Sequence, residues 1–288
     1  MTSDETTPRL AVLGAGVMGV GITATALGRG VPVVLIEIDE RKRDRARGAV
    51  EQELRLARFM GVEPRAGAPA ELLIGEAPAD AVGVDAVIEA VTESREAKVK
   101  VLSEVTSAVA PGTLLVTNTS SIPVGEVTEG LARPEDVVGT HFMNPAYLIP
   151  TVEVVRGPRT GDTAMASLDR LLKALGLKGV HVADSPGFVT SRLLHRMIND
   201  AARVVEEGRA TPHDVDLLMQ DCLGHRTGPL RTADLIGLDN LIDSLRVLHE
   251  RTGDDGFRPC DLLLRKVERG DHGRKSGRGF YDYRGVRS

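Results

Sequence analysis

Apolar residues along the first 184 positions occur in short continuous runs that alternate with longer stretches of helical period. Short apolar runs bounded by turn residues are typical of buried strands, and an apolar position every three or four residues is typical of an amphipathic helix. The predicted strands are residues 10–13, 31–39, 84–91, 113–121, 137–144, 151–157 and 178–184. The predicted helices cover roughly residues 40–60, 95–109 and 163–175. This alternation predicts an α/β doubly wound sheet of the Rossmann type.

The pattern changes after Asp184, where Pro186 and Gly187 form a hinge signal. Helical periods then continue without strands until the terminal GFYDY, and the main helical runs are residues 197–208, 212–224, 239–251 and 260–270. We therefore predict two domains. Residues 1–184 form a Rossmann-type domain, and residues 185–288 form an all-helical domain.

A glycine-rich turn follows the first predicted strand. Gly14, Gly16 and Gly19 give the pattern G-x-G-x-x-G, in which the first glycine allows a tight turn, the second lets a pyrophosphate approach the backbone, and the third lets helix and strand pack closely. The helix N-terminus that follows favours an anion. Val17 and Met18 lie between the second and third glycines and belong to the same predicted NAD site.

The second predicted strand ends in an acidic residue, Glu37, which lies 37 − 14 = 23 positions after Gly14. A carboxylate at this distance can bind the adenosine ribose hydroxyls and repels a 2′-phosphate, so NAD is favoured over NADP. Asp39 is the other candidate for the ribose contact. Its position just before the next predicted helix favours a role as the N-cap of that helix.

Polar residues follow several of the later strands. Asn118, Ser120, His141 and Asn144 all lie at strand ends, where ligands bind in doubly wound sheets. A neutral imidazole at His141 can act as a general base, and the carboxylate of Glu153 can fix its tautomer and stabilise the imidazolium. A dinucleotide site together with this acid/base pair indicates a dehydrogenase.

The composition narrows the class of protein. A formal charge of −5 argues against nucleic acid as the main partner. The N-terminus, MTSDETTPR, is polar and acidic and so does not predict a signal peptide, and no apolar run approaches the roughly 18 residues of a membrane span. Cys222 and Cys260 lie far apart without metal-ligand spacing and are predicted to be buried free thiols. We expect a cytoplasmic protein without a metal.

Several long motifs together resemble those of the 3-hydroxyacyl-CoA dehydrogenase family in order and spacing. They are GAGVMGVGI, EAVTE, NTSSIPV, THFMNP, TVEVV, DSPGFV, GPLRTADLIGLD and GRKSGRGFYDY. The resemblance covers nearly the whole chain. It implies that the first domain binds NAD, that the helical domain dimerises, and that an acyl thioester is the substrate.

The resemblance also implies roles for single residues. His141 matches the catalytic base and Glu153 its partner, Ser120 matches the serine that hydrogen-bonds the 3-oxygen of the substrate, and Asn144 matches the asparagine near the thioester and nicotinamide. Ser121 competes with Ser120 for its role, and a plain loop-capping function is the alternative for either.

The cofactor site implied by the resemblance extends to the ends of two further strands. Glu93 and Lys98 match residues that line the NAD site, and Ala90 and Asn118 are assigned to it with them. The alternative to this cofactor role for Lys98 is that it is a solvated lysine on a helix surface.

Two departures from the family pattern concern the substrate. Ser191 stands in GFVTSR where the family has an asparagine that reaches the active site, and we assign it to substrate binding. Glu53 and Met60 stand where CoA-using relatives place a serine and a lysine, although Arg55 and Arg58 keep part of the positive charge. With these departures, the chain most resembles the glyceryl-acyl-carrier-protein dehydrogenases of hydroxymalonyl and methoxymalonyl extender-unit biosynthesis.

Three functions are therefore compared. The first is NAD-dependent oxidation of glyceryl-acyl carrier protein at C3, giving a semialdehyde. The second is oxidation of a short-chain 3-hydroxyacyl-CoA such as 3-hydroxybutyryl-CoA. The third is a non-catalytic protein that holds NAD, which the presence of both His141 and Glu153 disfavours.

Overall fold

The computed structural model of the protein describes residues 7–65 and 68–285. Residues 1–6, which belong to the polar N-terminal stretch MTSDETTPR, lie outside this range, so the expectation that this stretch is not a signal peptide is not addressed by the structure. The chain divides into two compact units, Met1–Ser185 and Pro186–Ser288. Within the described residues, no helix has both the length and the apolar character that a membrane crossing requires.

Among its described residues, the first unit contains one sheet of eight strands in the order β3-β2-β1-β4-β5-β6-β7-β8. The strands are β1 Leu10–Leu13, β2 Val33–Ile36, β3 Leu72–Gly75, β4 Ala86–Glu89, β5 Leu114–Asn118, β6 Val137–His141, β7 Thr151–Arg156 and β8 Lys178–Ala183. Neighbouring strands are parallel except β6 and β7, which are antiparallel. The predicted Rossmann-type sheet is confirmed.

Helices cover both faces of this sheet. They are α1 Val17–Gly28, α2 Glu40–Phe59, α3 Arg95–Ala108, α4 Val124–Val127 and α5 Asp162–Ala174. Helices α1, α2 and α5 contribute to one buried apolar cluster, and α3 and α4 contribute to a second on the other face. Because both faces are covered, the inner strands are apolar throughout, as expected for parallel sheets. Because β1, β4, β5 and β6 are parallel, their carboxyl ends lie at the same edge of the sheet, and polar side chains gather there.

The N-cap of α2 was predicted from the sequence, but strand β3 was not. Asp39 caps α2 by accepting a hydrogen bond from the backbone N–H of Lys42, at 3.0 Å, as predicted. Strand β3 was not predicted. Its four residues, LLIG, follow a loop rich in proline and glycine, and they become a strand by pairing with β2 at the sheet edge.

The second unit is built from helices around one apolar cluster. They are α6 Thr190–Glu206, α7 Pro212–Asp221, α8 Pro229–Ile236, α9 Leu238–Thr252 and α10 Asp261–Glu268. The predicted all-helical domain is confirmed. Helix α8 was absent from the predicted set; glycines bound it at both ends, with Gly228 as its N-cap and Gly237 as its C-cap.

The terminal GFYDY, where the sequence suggested a return to strand, does not form a strand. Only isolated bridges form there, between Arg278 and its partners Gly273 and Asp282. Two buried carboxylates fix the segment instead. Asp234 accepts hydrogen bonds from the backbone N–H groups of Phe280 and Tyr281, at 2.9 Å each, and Asp216 accepts one from the Tyr281 hydroxyl at 2.6 Å.

The two cysteines differ in environment. Both are free thiols, as predicted, but only Cys260 is buried, and its burial raises the pKa of the thiol. Cys222 is exposed at the end of α7, so the prediction of two buried thiols is wrong for this residue. Cys222 is the C-cap of α7, beyond the last helical residue, so the helical period does not predict its burial.

Candidate active site

The glycine-rich turn after β1 has the geometry that a bound pyrophosphate requires. Gly14 has φ +100°, and a Cβ there would lie 2.9 Å from the carbonyl oxygen of Ala90. A Cβ at Gly19 would lie only 1.8 Å from the carbonyl oxygen of Gly14. At Gly16, the N-cap of α1, an added Cβ would meet nothing within 4 Å. Two glycines therefore permit close packing of the chain, and the third leaves the backbone open to a ligand.

Glu37 lies directly after β2 and is buried. One of its carboxylate oxygens accepts a hydrogen bond from the N–H of Ala15 at 2.8 Å, and the other accepts one from the N–H of Asp39 at 3.0 Å. The carboxylate is therefore fixed against the glycine-rich turn. This fits the predicted ribose contact, while Asp39 is occupied as the cap of α2.

His141 and Glu153 face each other on adjacent strands. His141 ends β6 and pairs in antiparallel register with Glu153 on β7. The histidine Nδ1 and the glutamate Oε2 are 2.8 Å apart, and the two side chains are only 9% and 7% exposed. A carboxylate at this distance holds the ring in the tautomer that carries its proton on Nδ1, so that Nε2 can accept a proton.

A turn after β5 carries Ser120 and is fixed by a single carboxylate. Oε1 of Glu93 accepts hydrogen bonds from the Thr119 hydroxyl at 2.6 Å and from the N–H groups of Ser120 and Ser121 at 2.9 and 3.0 Å. Burial acts to raise the pKa of Glu93, but the charge of Lys98 and these hydrogen bonds outweigh it and lower the pKa. Glu93 is thus a stable anion that holds the serine turn.

Lys98, on α3, is not a solvated helix lysine. Its side chain is 0% exposed, and its Nζ lies 2.9 Å from Oε1 of Glu89, 3.3 Å from Oε2 of Glu93 and 2.8 Å from the carbonyl oxygen of Asn118. The sequence-based alternative of a solvated lysine is therefore wrong. The Lys98 ammonium group is buried at the edge of the sheet where the cofactor site is predicted.

Asn118 ends β5 and connects this cluster to the strand that carries His141. Its side-chain oxygen accepts a hydrogen bond from the N–H of Phe142 at 3.0 Å. Asn144 lies three residues beyond His141 and is exposed, before a cis peptide bond to Pro145. Ser191 belongs to the second unit, where it is buried in the first turn of α6. The roles assigned to Asn144 and Ser191 stay predictions.

Both units of the chain match models of one known protein family. The model described as "3-hydroxyacyl-CoA dehydrogenase, NAD binding domain" matches residues 9–185, and the C-terminal domain model of the same family matches residues 187–283. The chain belongs to the 3-hydroxyacyl-CoA dehydrogenase family. As a member of this family, it is an NAD-dependent oxidoreductase, and the open backbone at Gly16 beside the fixed carboxylate of Glu37 fits that cofactor.

Individual relatives of the dehydrogenase resemble it over nearly the whole chain. A Bacillus subtilis protein named as a probable 3-hydroxybutyryl-CoA dehydrogenase is 37% identical over 278 residues, which are 96% of this chain and 97% of that protein. The crystal structure of FadB2 from Mycobacterium tuberculosis has a TM-score of 0.90 at 35% identity, covering 97% of this chain and all of that one. The (S)-3-hydroxybutyryl-CoA dehydrogenase PaaH1 from Ralstonia eutropha has a TM-score of 0.88 at 35% identity, with 96% and 99% coverage.

Sequence analysis missed one part of the dehydrogenase site. Glu89 and Thr117 are buried partners in register on β4 and β5, and their side chains are joined by a hydrogen bond of 2.7 Å. The available signal was a glutamate at the end of a strand that is otherwise entirely apolar. A buried carboxylate requires a partner, and the structure supplies Lys98 as that partner.

Proposed function

We propose that the dehydrogenase oxidises the 3-hydroxyl of a short-chain 3-hydroxyacyl-CoA, with 3-hydroxybutyryl-CoA as the first substrate to test. The observation that carries the chemistry is the buried contact of His141 with Glu153 at 2.8 Å. The names of the relatives support the CoA thioester over the carrier-protein thioester, which was the first choice from the sequence. The direct test is NADH formation from 3-hydroxybutyryl-CoA and NAD by the purified protein.

Oxidation of a secondary alcohol removes a hydride from C3 and a proton from the hydroxyl. Bound NAD supplies the hydride acceptor. His141 takes the hydroxyl proton on Nε2, and because its Nδ1 is held by Glu153, the imidazolium that forms has a carboxylate beside it. Ser120 orients the C3 oxygen, and Glu93 holds the turn on which this serine lies. The products are a 3-ketoacyl thioester, NADH and a proton.

Replacing Glu153 by glutamine is expected to lower kcat by about 10²-fold, because the imidazolium loses its stabilising charge and the ring loses its fixed tautomer. KM for the thioester should change little, since Glu153 acts through His141. Steady-state kinetics measure both constants. The exposed pair His181–Asp169, at 3.2 Å, supplies the matched control, and Asp169→Asn should leave kcat unchanged. Full activity in the Glu153→Gln variant would remove Glu153 from the mechanism.

Replacing Glu37 by glutamine is expected to raise the ratio of kcat/KM for NADP to that for NAD by about tenfold, equivalent to about 1.4 kcal/mol. The physical reason is the loss of the charge that repels a 2′-phosphate. Asp39→Asn is the matched control, because asparagine is also a good N-cap and should leave the ratio unchanged. If only Asp39→Asn changed the ratio, the ribose contact would belong to Asp39.

A glyceryl thioester of an acyl carrier protein is the second candidate substrate. The end of α2 supports it, because Phe59 and Met60 are 86% and 55% exposed, and an apolar surface suits a protein partner better than a CoA phosphate. Glu53 adds a negative charge there, and burial together with a hydrogen bond to Glu53 raises the pKa of Tyr147. Glu53 repels a phosphate, but Arg55 and Arg58 on the same helix attract it, so the exposed apolar pair Phe59 and Met60 is the observation that favours this substrate.

The two substrates are separated by one comparison of rates. The purified protein is supplied with NAD and with either 3-hydroxybutyryl-CoA or glyceryl-acyl carrier protein, and NADH formation is followed. Turnover of the CoA thioester alone supports the first proposal. Turnover of the carrier-bound substrate alone replaces it with the second.

We also propose a homodimer formed through the second unit. The family resemblance of the helical domain is the basis of this proposal, and five exposed leucines of this unit offer apolar area for such a contact: Leu193, Leu217, Leu218, Leu223 and Leu235. Light scattering of the purified protein measures the mass directly. The cytoplasmic location stays a prediction from the sequence.

A further inference from the structure

A charge cluster at the carboxyl ends of β4 and β5 joins Glu89 and Lys98, which are fully buried, to Glu93, whose side chain is 35% exposed. An ammonium group has three N–H donors. In Lys98, three protein acceptors lie within 3.3 Å of Nζ, namely the carboxylates of Glu89 and Glu93 and the carbonyl oxygen of Asn118. The donors of Lys98 are therefore engaged within the protein. A contribution of this residue to the cofactor site must act through the groups that it holds.

Glu89 is the fully buried acid of this cluster. Its two oxygens accept hydrogen bonds from Lys98, from the Thr117 hydroxyl at 2.7 Å and from the N–H of Val91 at 2.8 Å. Burial raises the pKa of Glu89, against the opposing effect of the Lys98 charge and the hydrogen bonds. A buried ion pair is seldom worth more to stability than apolar residues of the same volume. Stability alone therefore gives a poor reason for this pair.

The groups held by the cluster lead to the catalytic residues. The backbone of Asn118 is fixed by Lys98, while the side chain of Asn118 holds the N–H of Phe142, next to His141. Glu93, the other partner of Lys98, holds the turn that carries Ser120. One charge cluster thus fixes the ends of both strands from which the proposed base and the proposed substrate-binding serine project.

We propose that Glu89 is a positioning residue of the dehydrogenase site, which acts by holding Lys98 against Asn118 and thereby fixes the Ser120 turn and the backbone beside His141. This inference rests on the proposed function of His141 and Ser120. Glu89 itself contacts neither substrate nor cofactor. Its loss should lower kcat and the affinity for NADH, since the groups that it positions act in the chemical step and at the nicotinamide edge.

The test uses Glu89→Gln, Lys98→Met and the double variant in the full-length protein. Lys98→Met leaves the buried carboxylate of Glu89 without its cation and should lower the thermal unfolding midpoint, whereas Glu89→Gln leaves Lys98 paired with Glu93 and should lower it less. The double variant removes both charges of the Glu89–Lys98 pair and should recover most of the loss seen in Lys98→Met. Three quantities are measured for each: the unfolding midpoint, the Kd for NADH from fluorescence titration without substrate, and kcat and KM. Glu104→Gln with Lys100→Met, on the exposed face of α3, is the matched control.

The double variant decides the outcome. We expect it to fold with a near-normal unfolding midpoint but to keep a kcat and an NADH affinity each lowered about tenfold, a change of about 1.4 kcal/mol in free energy. A double variant with normal kcat and normal NADH affinity would show that the cluster is only structural and would overturn the proposal. The NADH titration separates this from a failure of the proposed function, in which the unaltered protein binds NADH but oxidises no 3-hydroxyacyl thioester.

Discussion

Replacing His141 by glutamine is expected to lower kcat for 3-hydroxybutyryl-CoA oxidation by about 10²- to 10⁴-fold, the usual contribution of a positioned general base. Glutamine is similar in size and polar but cannot accept the hydroxyl proton. The Kd for NADH should stay within about twofold of its original value, because His141 is proposed to act on the substrate hydroxyl. Steady-state kinetics and a fluorescence titration measure the two effects.

His181 offers the matched control for this experiment. It also lies beside a carboxylate, Asp169, at 3.2 Å, but both side chains are about half exposed. His181→Gln should therefore leave kcat unchanged. If both histidine variants kept full activity, the buried pair of His141 and Glu153 would not be the acid/base centre.

Replacing Gly19 by alanine is expected to have the second-largest effect, a loss of both stability and cofactor binding. The new Cβ would lie 1.8 Å from the carbonyl oxygen of Gly14, which is backbone and cannot move aside cheaply. Overpacking of this kind costs about 3 kcal/mol of unfolding free energy. The turn that receives the pyrophosphate is displaced with it, so NAD affinity should fall as well. Chemical denaturation and NADH titration measure the two losses.

Gly16→Ala separates the two causes. An added Cβ at this position meets nothing within 4 Å, so the unfolding free energy should change by less than about 1 kcal/mol, the usual range of an N-cap substitution. NADH affinity should nevertheless fall by about tenfold or more, because the methyl group occupies the space that the pyrophosphate needs. Equal stability losses in the two variants would contradict the assigned roles of these glycines.

The sequence predicted the parts of the fold that depend on local pattern. The cap at Asp39 and the long helix after it follow from a polar cap residue and a sustained helical period. Strand β3 and helix α8 did not follow; each is bounded by turn residues and is held by tertiary contact, with β2 in one case and the helical core in the other. The GFYDY segment alternates like a strand, but Asp234 and Asp216 bind it through backbone and hydroxyl groups instead.

The candidate site divides in the same way. The contact between His141 and Glu153 could be anticipated, because two strand ends twelve residues apart can pair across a short connection. The cluster of Glu89, Thr117 and Lys98 could not be read from spacing. It depends on the parallel register of β4 with β5 and on the way α3 packs over them, which together turn an apparently ordinary helix lysine into a fully buried charge.

The most direct test of the proposed chemistry is the initial rate of NADH formation from 3-hydroxybutyryl-CoA and NAD, compared between the unaltered protein and the His141→Gln variant. We predict rapid formation of NADH and the 3-ketoacyl thioester by the unaltered protein, with a rate at least about 10²-fold lower in the variant. NADH formation at equal rates by the two proteins would contradict it, because the hydroxyl proton would then be taken by a group other than His141.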